Sequence, residues 1–202
     1  AAGSLGANKD IVIDTAVAAP NAPDLLSASD SGTSSTDNVT VITTPAFDVT
    51  GLESGATAAL TFTPIGGGEA IVVQAQVAAG QSSCTITVPS PLSPGVYTVT
   101  SRQTDLAGNV SSVSPAMAPG LTIDTTEPTI SVLFPANGAQ DAGSNANLAI
   151  TFSEDVLANP MHLLIRKISD NSIVEDIVLT SAQVTVAGNQ VTIDPLATFE
   201  SE

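Results

Sequence analysis

The chain has 202 residues, of which 4 are basic and 20 acidic, giving a formal charge of −16. That balance argues against a nucleic-acid partner, because phosphate affinity rests on Lys and Arg, and against docking on an anionic membrane surface. Apolar residues make up 43% but aromatics only 3%, with no Trp, so disorder is excluded as the main state and the core must come from Val, Ile, Leu and Ala.

Helical periodicity is hard to find; short apolar runs between turn residues recur instead. Val12-Ile13-Asp14-Thr15 comes first and is echoed by Thr122-Ile123-Asp124-Thr125, with a proline a few residues beyond each. The spacing of about 110 residues is close to one immunoglobulin-like sandwich. Strands are predicted over 23–28, 45–50, 56–63, 70–77, 84–88, 95–104 and 112–124. The polar loop DSGTSSTDN fills 30–38, and GLESG, GGGE, AAGQ, LSPG and DLAGN supply turns. Seven short strands with such punctuation point to a Greek-key sandwich. A second segment starts at Pro128, with strands predicted over 129–134, 148–152, 162–168, 173–179, 183–186 and 191–193. Hairpin turns are expected at 170–172 and 187–189. The pattern stops at ATFESE, so a truncated second sandwich is expected. The predicted division is a tail from a preceding module over 1–19, one domain over 20–127 and an incomplete one over 128–202. The fold class is all-β, as tandem immunoglobulin-like Greek-key sandwiches.

Cys84 is the one cysteine, which leaves no partner for an internal disulfide and no cysteine-based zinc site. Its strand-like surroundings, SCTITVP, suit a buried small hydrophobe. No apolar run approaches the length of a membrane span. Asn38-Val39-Thr40 and Asn109-Val110-Ser111 fit the N-glycosylation pattern, a short motif that is common by chance.

Several separated motifs fall in a recognisable order: Pro23-Asp24-Leu25, DSGTSSTDN, Glu53 to Gly55, GVYTVTSRQTDLAGNVS and TIDTTEP. Together they resemble one repeat of the bacterial Ig-like domains of giant type I secreted, repeats-in-toxin-like surface adhesins. The second segment, with FPANGAQDAG, LAITFSEDV and IRKISDNSIVEDI, is similar to another bacterial Ig-like type from large repetitive surface proteins. One departure is that Ile86 and Val88 stand where such repeats often carry an aromatic residue. The resemblance implies a secreted β-sandwich spacer at the bacterial cell surface, often with Ca2+ at its joints. The implied partners are neighbouring Ig-like modules of the same chain, with no nucleic acid and no membrane insertion. A host-cell or surface ligand would be bound by other domains.

Calcium takes six to eight oxygen ligands. In a sandwich, the B–C and F–G loops lie at the end where the chain enters, so Glu53, Asp105, Asn109 and the incoming Asp14 are expected to converge. The same residues also fit a reading without metal, with Asp105 and Asn109 as turn-formers and Glu53 as a solvated charge. At the second joint Asp124 is grouped with Glu154 and Asp155, with Glu127 between; a solvated acidic turn fits as well. In the loop 30–38, Asp30 and Asp37 lack EF-hand spacing, and an Asx/Ser turn fits better. The resemblance adds a third calcium position there.

Catalysis finds little support. His162 is the single histidine and sits on an apolar strand, where a packed or edge role suits it better than that of a base. Neither a nucleophile elbow nor a zinc-protease motif is present. The leading expectation is a non-enzymatic, calcium-stiffened extender holding a distal binding domain. The alternatives are a glycan- or protein-binding adhesive module, which would need exposed aromatics, and an accessory domain of a secreted hydrolase.

Overall fold

The computed structural model describes residues 13–139, 143 and 145–198. Among these every regular element is a strand, and no helix is long and apolar enough to cross a membrane. The chain divides into two compact units between Thr125 and Thr126.

The first unit has eight strands: β1 (Asp24–Leu25), β2 (Val39–Thr40), β3 (Ala46–Thr50), β4 (Thr57–Pro64), β5 (Ile71–Gln76), β6 (Ser83–Thr87), β7 (Gly95–Thr104) and β8 (Leu121–Ile123). They form a three-stranded sheet in the order β1-β3-β6 and a five-stranded sheet in the order β2-β8-β7-β4-β5. All pairings are antiparallel except β2 with β8, where Val39 faces Thr122 and Thr40 faces Ile123. Alternation decides which side chains point inward. From β3 come Phe47 and Val49, from β4 Ala58, Leu60 and Phe62, and from β7 Tyr97 and Val99; all are buried in one cluster with Ile86, Leu121 and Ile123. The rings of Phe47 and Phe62 meet edge to face at 5.3 Å, the arrangement their quadrupoles favour. The Tyr97 hydroxyl donates to the Ser93 carbonyl at 2.7 Å, tying β7 to the turn before it. Cys84 is half-buried against this core, and burial followed by the nearby Asp48 charge pushes its thiol pKa up.

The loop over 30–38 is present, and directly after it comes an unexpected strand, β2, whose partner lies more than eighty residues along the chain, a pairing invisible to local patterning. One expectation is corrected: the long last strand over 112–124 is replaced, because Pro115 and Pro119 cannot donate to a ladder. Regular pairing is confined to Leu121–Ile123. Before it, serine hydroxyls stand in for missing backbone acceptors: Gln103 N–H donates to Ser111 Oγ at 3.0 Å and Ser101 N–H to Ser114 Oγ at 2.9 Å.

The second unit has six strands: β9 (Ile130–Phe134), β10 (Leu148–Phe152), β11 (His162–Arg166), β12 (Ile173–Val178), β13 (Val184–Ala187) and β14 (Gln190–Ile193). One sheet runs β13-β14-β10-β9, and β11 pairs with β12 alone. The two expected hairpin turns are present, with Asn171 and Gly188 at φ of 59° and 60°. Among the described residues of this unit, Ile177 and Ile193 are the buried hydrophobics. Glu175 accepts from the backbone N–H of Leu196 and Ala197 and from Gln183, securing the segment after β14 to β12. His162 is exposed on the two-stranded sheet and pairs with Asp176 at 2.6 Å.

Candidate metal centre

The turn after β3 reverses through Gly51, whose φ is +74° and whose Cβ, if present, would meet Asn21 N and Nδ2 at 3.2 Å. Glycine is required there on both counts. The close approach lets Asn21 N–H donate to Thr50 O at 3.0 Å, so the incoming segment lies along the end of β3. The turn after β7 is built by Asp105: its Oδ1 accepts Asn109 N–H at 2.8 Å and its Oδ2 accepts Asn109 Nδ2 at 2.7 Å.

These two turns and the incoming segment bring Asp14, Glu53 and Asp105 together. Each offers one carboxylate oxygen, and the three oxygens lie within 4.8 Å of one another. Oxygens about 2.4 Å from a common calcium ion can be at most about 4.8 Å apart, so the spacing fits an ion between them. Asp14 and Glu53 are exposed while Asp105 is buried. Burial opposes Asp105 ionisation, but the Asn109 amide, the Asn109 N–H and the N–H groups of Gly108 and Ala107 outweigh it and hold its pKa below the usual carboxylate range.

Asn109 reaches the cluster as a turn-former with Asp105, one of the two roles expected for it. Its amide nitrogen, not its oxygen, faces the site, donating to Asp105 Oδ2 and to Asp14 O at 3.2 Å. Both neighbours are acceptors, which dictates that orientation. Asn109 therefore joins the incoming segment to the turn and orients Asp105. Both glycosylation-pattern amides are engaged, since Asn38 is buried and its Nδ2 donates to Pro119 O at 2.7 Å.

The other acidic residues are dispersed differently. Asp124 directly follows β8 in the first unit, and its N–H donates to Thr40 O. Glu154 and Asp155 follow β10 in the second unit. Asp155 lies against Gly188, where an added Cβ would meet its Oδ1 at 3.1 Å, and Glu154 Oε1 is buried without a hydrogen bond. In the loop 30–38, Asp37 accepts from Thr33 Oγ1, Ser34 N–H and Val39 N–H, a side-chain-capped turn. Those bonds outweigh desolvation and lower its pKa. Asp30 is buried, with Oδ2 accepting Asn38 N–H and Oδ1 unpartnered. Burial first, then the neighbouring Asp37 carboxylate, raise its pKa against the opposing Asn38 bond.

Sequence reasoning missed Gln103, Ser101 and Asn21. Ser101 and Gln103 continue the inward alternation of Tyr97 and Val99 on β7, and both are buried. A polar residue in an apolar-inward register is a signal that counting by twos would have found. Of the aromatics, Phe47, Phe62 and Tyr97 are buried and Phe134 is exposed; Phe199 lies outside the described residues.

Residues 16–125 match a family described as Bacterial Ig-like domain, and residues 124–202 match a second family of the same description. The solved structure "Crystal structure of tetra-tandem repeat in extending region of large adhesion protein" is similar at 19% identity and a TM-score of 0.34. That match covers 89% of this chain and 42% of the other, so this chain spans less than half of its length. No curated protein matches the chain. With the first family spanning more than half of the residues, the chain belongs to the bacterial Ig-like domain family, of which it carries two domains in tandem.

Proposed function

We propose that the chain is a non-enzymatic extender segment of a bacterial cell-surface adhesin. In this reading calcium stiffens it at the incoming segment, and a distal domain outside the chain binds the ligand. The observation that supports it best is the meeting of Asp14, Glu53 and Asp105 at calcium-ligand spacing. Adjacent carboxylates repel one another unless a proton or a cation lies between them, and the chain has only 4 basic residues. Backbone carbonyls and water would complete the coordination. An ion there ties the incoming segment to both turns. The Asp30–Asp37 pair is assigned a further calcium position, supported by the unpartnered Asp30 Oδ1.

Titration calorimetry of the whole chain with calcium tests this. Binding is expected with dissociation constants of about 0.1 to 1 mM, the range of extracellular modules. Asp105→Asn should abolish one binding event and Asp30→Asn another. Absence of binding at millimolar calcium defeats the calcium reading, and unchanged isotherms in both variants defeat the assignment of residues.

A further inference from the structure

The inward face of β7 changes character along its length: Tyr97 and Val99 pack into the core, whereas Ser101 and Gln103 fill the end of the sandwich where the chain enters. A buried amide must satisfy two N–H donors and an oxygen. Gln103, only 1% exposed, does so with partners from two separate stretches of chain. Its Nε2 donates to Ala18 O at 2.9 Å and to Gly51 O at 3.1 Å, and its Oε1 accepts Glu53 N–H at 2.7 Å. Two carbonyls and one N–H around the amide leave no ambiguity about which end is nitrogen. Next to it, Ser101 Oγ donates to Asn21 O at 3.3 Å.

We infer that Gln103 is the positioning residue of the carboxylate cluster, clamping the incoming segment at Ala18 to the Gly51–Glu53 turn so that Asp14 and Glu53 are held together before any cation arrives. This rests on the calcium reading of the cluster and adds to it an order of events. The clamp belongs to the folded sandwich, and the ion binds a site already assembled. Preorganisation of this kind strengthens binding by removing the cost of ordering the ligands. Among the described residues no other side chain bonds to both stretches through a fully buried group: Asn109 bridges Asp14 and Asp105 from an outer turn, and Asn21 bonds to Thr50 from an exposed position.

The test uses the whole chain in a Cys84→Ala background, with nitroxides on Thr15→Cys in the incoming segment and on Thr63→Cys, an exposed position of β4. In chelator the parent should show a narrow distance distribution. Gln103→Leu, which keeps the bulk and removes the amide, should broaden it and weaken calcium binding at the cluster by tenfold or more. Gln103→Asn retains the amide but is one methylene too short to span both partners, so it should behave alike and serves if the leucine variant does not fold. A broad distribution in the chelated parent overturns the inference without recourse to any variant. So does a narrow one that both folded variants keep. A narrow parent distribution broadened by the variants, with no calcium binding in calorimetry, keeps the clamp and removes the calcium reading.

Discussion

At the scale of single residues, Asp105 and Asp30 are both buried aspartates, yet their surroundings push them in opposite directions. Asp105 is desolvated but receives several N–H donors, which win, and its folded pKa lies below the ordinary value. Its stabilising contribution is therefore present above the unfolded pKa and is lost as pH falls through the folded one. Asp30 is desolvated and faces the Asp37 carboxylate, which together outweigh the opposing backbone N–H bonds, so its folded pKa is raised. Its contribution is greatest below the unfolded pKa and is lost as pH rises through the folded value. In chelator, Asp30→Asn should raise the unfolding temperature at neutral pH and have no such effect in acid. Asp105→Asn should lower it at neutral pH, by an amount that shrinks on acidification. Thermal unfolding followed by circular dichroism from pH 3 to 7 checks both signs; the same sign for the two variants would refute the assignment.

At the scale of elements, β7 is held on one side by a regular ladder to β4 and on the other by a broken one. Pro115 and Pro119 interrupt the chain that should pair with it, and Ser111 and Ser114 supply side-chain acceptors to Gln103 N–H and Ser101 N–H instead. Both hydroxyls are buried, so removing either leaves a buried donor unsatisfied, at about 1 to 3 kcal/mol. Ser111→Ala and Ser114→Ala should each lower stability by that much in urea unfolding monitored on the first unit. Losses under a few tenths of a kcal/mol would mean that water replaces the hydroxyls. Glu175 acts comparably in the second unit, where three donors converge on it and outweigh desolvation to lower its pKa.

At the scale of the molecule, the two units differ in how much apolar surface they bury. The first has a continuous cluster from Leu25 to Ile123, anchored by the Phe47–Phe62 pair. In the second, β9 exposes Ile130, Val132 and Phe134, and among the described residues the buried hydrophobics are Ile177 and Ile193. Apolar burial is the largest favourable contribution to folding, so the second unit should unfold first. Differential scanning calorimetry is expected to show two transitions. Phe47→Ala should shift the upper one, by about 3 to 5 kcal/mol of stability, and leave the lower one in place. At free calcium a hundred times the dissociation constant, an occupied cluster adds about 2.7 kcal/mol to the first unit, so chelation should move the upper transition down. One merged transition would show that the units are coupled.

Period-two alternation and turn residues determined most strands without any tertiary information. β10 and β7 begin and end where the apolar runs and glycine turns place them, and the hairpin turns at Asn171 and Gly188 lie where short-loop chemistry puts them. Sandwich topology also allowed Asp14, Glu53 and Asp105 to be grouped across ninety residues, because the loops at one end of such a fold are neighbours. Three features were left to the tertiary structure. β2 exists only because β8 lies beside it. Asn109 presents its nitrogen because two acceptors meet it. Gln103 is buried because partners from two distant stretches of chain absorb its polarity. Each depends on which polar groups face one another after the chain has closed, and local patterning carries no record of partners brought together from far along the chain.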